Sequence, residues 1–135
     1  MSAEVRQSWK AEPGAVPPAR GAVVALARAA DASPGALDDI RLAVSEAATN
    51  VVVHAYVGGP AGPLHLHATV DGRRLRVEIR DEGGGLRARP DSPGLGVGLP
   101  LMAAVTESLQ LSNADGEPST VTMTFDLDAV RDQVA

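Results

Sequence analysis

Two periodicities divide the chain. From Leu42 to Tyr56, in LAVSEAATNVVVHAY, apolar residues dominate and no Gly or Pro interrupts them, so the stretch predicts one helix. Three polar residues stand four apart in it: Glu46, Asn50 and His54. At about 3.6 residues per turn, such positions drift slowly around one face. The predicted helix therefore carries a polar stripe on an apolar body. A solvated stripe is the ordinary explanation. It fits less well here, because Val44, Val51, Val52 and Val53 leave few faces for water.

Further along, the period changes from helical to two. Leu64, Leu66, Ala68 and Val70 alternate with His65, His67, Thr69 and Asp71, and Leu75, Val77 and Ile79 alternate with Arg74, Arg76, Glu78 and Arg80. Asp71-Gly72 between the runs predicts a hairpin. Each strand has one apolar and one polar face, as in an antiparallel sheet covered on one side. Asp81 shares parity with Leu75, Val77 and Ile79, so it should point to the core side. A carboxylate there needs a partner, since burying an unpaired charge is costly.

The remaining elements follow from punctuation. Residues 4–11 read as a short edge strand. Pro18 suits the first turn of a helix over Ala19–Ala30. Ser33 is placed as the N-cap, and Pro34 as the first residue, of the helix that contains the polar stripe. That helix ends by Gly58-Gly59-Pro60. A third helix is expected from about Leu99, with Pro100 in its first turn. Leu109–Asn113 and Ser119–Leu127 follow as strands, and the tail from Asp128 reads as frayed.

Composition narrows the chemistry. With 135 residues the chain suits one domain, expected over 1–135 with its core at about 20–126. Trp9, Tyr56 and Phe125 are the only aromatics, so the core must be mostly Ala, Val and Leu. The net charge of −5, without a basic patch interleaved with aromatics, disfavours direct nucleic-acid binding. The chain holds no cysteine, which excludes disulfides and thiolate metal sites. No membrane-length apolar run or charged leader is seen, which gives the expectation of a cytoplasmic protein. Lys10 is the only lysine, so a G-x-x-x-x-G-K-[ST] phosphate loop and the strand lysine of eukaryotic-type kinases are both impossible.

Two glycine clusters remain. Gly83, Gly84 and Gly85 follow Asp81, and Gly94, Gly96 and Gly98 lead towards the third helix. Glycine lets a ligand approach the main chain closely, and helix N-termini favour phosphate. A flat ligand near Asp81, with phosphates near Gly96–Leu99, follows from the pattern. An amino group on a base would then partner Asp81. A dinucleotide fingerprint would need a strand directly before the glycines, where Arg89-Pro90-Asp91-Ser92-Pro93 stands instead. His65 and His67 share a strand face without a third ligand, so no metal site is expected there.

Taken together, SEAATNVVVHAY, DEGGG and GVGLPLM resemble the E-x-x-x-N-x-x-x-H-A-Y, D-x-G-x-G and G-x-G-L-x-L-M motifs of the GHKL-type ATP-binding domain, in the same order. The resemblance is closest to the stand-alone bacterial anti-sigma factor serine/threonine kinases and spans about residues 20–126. It implies an α/β (α+β) two-layer sandwich: a mixed, mostly antiparallel sheet with three main helices on one face. It implies Mg²⁺ and ATP as cofactors, with Asn50 coordinating the metal and Glu46 as general base. Asp81 would accept from the adenine amino group, with Gly83 and Gly85 making room for the ring. Gly96, Gly98 and Leu99 would close over the phosphates. Thr120 aligns with a family threonine near adenine, although its parity is opposite to that of Val121, Met123 and Phe125. The implied partners are an anti-anti-sigma (STAS-type) protein, phosphorylated on serine or threonine, and a sigma factor; self-association stays open. A non-catalytic, nucleotide-gated binding module of the same fold is the alternative. Leu86 stands where relatives often have an aromatic, the lid from Leu86 to Leu95 is short, and no phosphoacceptor helix precedes the domain, so a complete sensor histidine kinase is not expected.

Overall fold

The computed structural model describes residues 2–83, 95–112 and 119–130. Strand β1 (Ser2–Lys10) leads through a short 3-10 turn into α1 (Val16–Ala29) and α2 (Pro34–Asn50). A π-helical turn over Val51–Ala55 extends α2, and then come β2 (Pro63–Asp71), β3 (Arg74–Asp81), α3 (Leu95–Val105), β4 (Ser108–Ser112) and β5 (Ser119–Asp126). The strands form one sheet in the order β1-β2-β3-β5-β4. All four pairings are antiparallel, so the sheet, expected to be mostly antiparallel with some mixing, is antiparallel throughout the described strands.

Alternation decides which side the helices cover. Leu64, Leu66, Ala68 and Val70 of β2, Leu75, Val77 and Ile79 of β3, and Val121, Met123 and Phe125 of β5 are buried. They join Val23, Ala27, Ile40, Val44, Ala47 and Met102 from the three helices in one hydrophobic cluster. Truncating a fully buried member such as Ile79 to Ala costs about 2–5 kcal/mol. The opposite sheet face carries His65, His67, Arg76, Glu78, Thr120 and Thr122.

The caps are as the sequence dictates. The Ser33 side chain accepts from the Ala36 amide at 3.1 Å, with Pro34 opening α2. Gly58, at φ 86, takes the left-handed conformation just past the helical segment. The β2–β3 loop is the two residues Gly72 and Arg73, with Asp71 and Arg74 already paired. Arg73 ties the hairpin tip to the Ala30 carbonyl at 2.6 Å and to Asp128 at 2.8 Å. Asp128, expected to lie in a frayed tail, is therefore anchored. The predicted third helix begins four residues early, at Leu95, and takes Gly96 and Gly98 into its body.

Candidate functional site

The site grows from the end of α2. Ala43, Val44, Ala47 and Ala48 bury its core face, which leaves the stripe on the flank towards α3. Glu46 is half-buried there and Asn50 is only 6% exposed. Both side chains converge on Gly98 of α3. A Cβ on Gly98 would lie 3.2 Å from Asn50 Nδ2, 3.2 Å from Glu46 Oε2 and 3.7 Å from Asn50 Oδ1. The missing methyl is thus the space between a carboxylate and a carboxamide. Asn50 Nδ2 is buried without a hydrogen-bond partner. A buried donor of that kind costs about 1–3 kcal/mol unless something accepts from it.

A second polar pair lies across the sheet. One row of the register runs Trp9, Leu64, Asp81, Ser119 from β1 to β5, apolar at one end and polar at the other. Asp81 is 3% and Ser119 5% exposed. The Gly83 amide donates to Asp81 Oδ1 at 2.9 Å. Burial nonetheless pushes the Asp81 carboxyl above its ordinary pKa, with the Gly83 bond opposing only in part. Ser119 Oγ, like Asn50 Nδ2, has no hydrogen-bond partner. They are the two unsatisfied buried side-chain atoms among the described residues.

Glycine geometry confirms the crowding near Asp81. A Cβ on Gly83 would overlap the Ala55 carbonyl oxygen at the end of the π-helical turn. That turn was not legible in the sequence, which predicts one uninterrupted helix to Tyr56. π-helical turns within helices are frequent at functional sites. His54, within the turn, is half-buried.

Of the residues singled out in sequence, Glu46, Asn50 and Gly98 come together in one place. Asp81 and Gly83 come together in another. Leu99 packs partly buried against the core. Gly96 lies in the first turn of α3. Gly85 and the lid from Leu86 to Gly94 lie outside the described residues. Thr120 is not brought to Asp81: it pairs with Arg80 and Ser112 on the helix-free face. Its neighbour Ser119 holds the core-side position opposite Asp81. Sequence reasoning passed over Ser119, although its parity with Val121 and Met123 marked a polar residue at a core position.

A divalent ion fits these residues in one manner. No group of three or more His, Asp or Glu among the described residues could hold a metal. The Asn50 amide oxygen is a hard donor suited to Mg²⁺, which takes one or two protein oxygens and completes its shell with phosphate and water. Among the described residues no helix is long and apolar enough to cross a membrane.

The model of the histidine kinase-like ATPase domain matches residues 9–125. The chain is 28% identical to an anti-sigma F factor of Clostridium acetobutylicum, over 78% of this chain and 80% of that protein. It is 35% identical to the anti-sigma F factor of Halalkalibacterium halodurans, over 64% and 59% of the two chains. A solved Mycobacterium tuberculosis chain comprising RsbU and RsbW domains superposes with a TM-score of 0.71 at 19% identity. It covers 98% of this chain, which spans 35% of that longer one. With a family model that matches residues 9–125, nearly the whole chain, this chain belongs to the histidine kinase-like ATPase domain family.

Proposed function

We propose that this chain is an anti-sigma regulatory factor that binds Mg-ATP, phosphorylates a serine or threonine of an anti-anti-sigma partner, and holds a sigma factor when that partner is unavailable. The reading takes residues 1–135 as one ATP-binding domain acting in the cytoplasm. The observation that carries it is the convergence of Glu46 and Asn50 on the gap at Gly98, with Asn50 Nδ2 buried and unpartnered. The name shared by the Clostridium and Halalkalibacterium relatives supports the choice of pathway.

Each residue has a task in this reading. Asn50 supplies its amide oxygen to Mg²⁺ and its orphaned N–H to a phosphate oxygen. The metal, when bound, neutralises phosphate charge. Glu46, one helical turn before Asn50, stands where it can take the proton of the attacking hydroxyl. Asp81 accepts from the adenine amino group, which repays the burial of its charge. Ser119 offers a second polar contact to the same edge, the place first expected of Thr120. Gly83 keeps the ring's approach free of side chain, and Gly85 is assigned the same task. Gly96, Gly98 and Leu99 bring the amino-terminal turns of α3 over the phosphates.

Calorimetry with Mg-ATP tests the foundation, and a protein that shows no saturable binding ends the proposal. Affinity capture from the native cell with ATP and with ADP, followed by phosphosite mapping, tests the partners. Retained partner binding without phosphosites would favour the non-catalytic, nucleotide-gated module.

A further inference from the structure

Tyr56 is the only tyrosine of the chain and stands where the π-helical turn ends. Its hydroxyl donates to the Pro63 carbonyl at 2.6 Å, at the first residue of β2. The same oxygen accepts from the Glu82 amide at 2.9 Å, one residue past the end of β3. One phenol thus bridges the close of the α2 segment, the start of β2 and the turn that follows Asp81. Glycines make room for the ring at two points along one edge. A Cβ on Gly62 would sit 2.5 Å from Tyr56 Cε1, and one on Gly83 would sit 3.0 Å from Tyr56 Cδ1. Burial raises the phenol above its ordinary pKa, against a partial opposing effect of the Glu82 amide bond and with a smaller push from the charges of Asp81 and Glu82, so the hydroxyl keeps the proton it donates to Pro63.

From this geometry we infer that Tyr56 is the positioning residue for Asp81: its hydroxyl fixes the Asp81–Gly83 turn against the end of α2 and so aims the carboxylate at the base. The inference rests on the reading of Asp81 as the adenine acceptor. The reason for a tie is local. Asp81 ends its strand, and the Gly83 amide that steadies Oδ1 belongs to a turn with no ladder of its own. Glycine at position 83 makes that turn permissive, because it lacks the side chain that would restrict it. The tie to Tyr56 restores the order that glycine gives up. It also links the carboxylate to the helix that carries Glu46 and Asn50, so the base-side and phosphate-side groups share one rigid support.

The variant that tests this is Tyr56→Phe, which keeps the packed ring and removes the hydroxyl. Two readouts are taken. The first is amide hydrogen exchange in the nucleotide-free protein, where Glu82 and Gly83 should exchange about tenfold faster, as expected for loss of one backbone hydrogen bond. The second is binding, where Mg-ATP should weaken about tenfold and the preference for ATP over GTP should shrink, while inorganic tripolyphosphate binds as before. Gly62→Ala, which crowds the ring with the hydroxyl retained, should speed exchange at the same two amides, and serves if the Phe variant folds poorly. Unchanged exchange at Glu82 and Gly83 overturns the tie. Faster exchange with an unaltered ATP-over-GTP preference overturns the positioning role. A wild-type protein that binds no adenine nucleotide removes Asp81 from its proposed role, and the positioning of it for adenine goes with it, whereas exchange still decides whether the tie exists.

Discussion

Asp81 and Ser119 face each other directly across the β3–β5 pairing, both on the core side and both almost fully buried. Every neighbouring position on that side of the two strands is apolar: Ile79 opposite Val121, Val77 opposite Met123, Leu75 opposite Phe125. Two polar groups at the end of an otherwise dry row weaken the fold unless a ligand meets them. In the proposed function, the adenine edge is the ligand that meets them.

That weakening is measurable at Asp81. Asp81→Asn keeps an oxygen for the Gly83 amide and removes the charge. It should stabilise the nucleotide-free protein by about 0.5–2 kcal/mol at neutral pH, the usual size for relieving a destabilising site residue. The sign with pH follows from the raised pKa. A carboxyl that holds its proton more tightly when folded loses stability as pH rises from its ordinary value of 3.8 through the raised one. The gap between variant and wild type should therefore close near or below 3.8 and be full above the raised pKa. Urea unfolding across that range measures it, and a gap that widened on acidification would contradict the burial argument. In binding, the variant should lose adenine nucleotides more than other triphosphates.

Ser119 makes a companion case. Ser119→Ala removes an unpartnered buried hydroxyl, so unfolding free energy should hold or rise by about 1 kcal/mol. ATP should bind several-fold more weakly, because the base loses one polar contact. Thr120→Ala, on the helix-free face, should leave ATP affinity unaltered. Titration calorimetry on the pair decides between the two neighbours, and a larger loss for Thr120→Ala would reverse the assignment.

Much of this was readable from the chain. The helical stripe, the hairpin and the inward parity of Asp81 rest on the two periods of 3.6 and two, and both survive folding because the core enforces them. The N-cap at Ser33 was equally local. What escaped detection depends on distant partners. The glycines before Leu99 read as loop by propensity, yet Gly96 and Gly98 lie within α3, and the missing side chain of Gly98 lets that helix approach Asn50 and Glu46 closely. The π-helical turn has no signature in a run of valines. The sheet's direction at β5 is set by how α3 and β4 return the chain, which alternation within a strand does not encode.

In the proposed function, Glu46 and Asn50 divide catalysis from binding. Glu46→Gln should bind Mg-ATP near the wild-type level and lower transfer to a cognate partner by about 10²–10⁴-fold, the usual worth of a general base. Asn50→Ala should abolish the Mg²⁺-dependent part of ATP binding. Radiolabel transfer and calorimetry on both variants read the two effects apart. Undiminished transfer by Glu46→Gln would take the proton-accepting role from that residue.

Gly98 offers the sharpest test of the gap between those two side chains. In a helix, replacing Gly by Ala gains about 1 kcal/mol of propensity. Against that gain, the new methyl would sit 3.2 Å from Asn50 Nδ2 and Glu46 Oε2, so one of them must shift slightly. Glu46 is half-buried and has three side-chain torsions with which to give way, so the two effects should nearly cancel in the fold. The melting temperature of Gly98→Ala should accordingly stay within about 4 °C of wild type, the shift that 1 kcal/mol produces in a domain near this size. Mg-ATP binding has no such compensation, because the methyl occupies the space where carboxylate and carboxamide converge. It should weaken by about tenfold or more, the equivalent of losing one charge-assisted hydrogen bond. A variant that melts like wild type and binds Mg-ATP equally well would place the phosphates elsewhere.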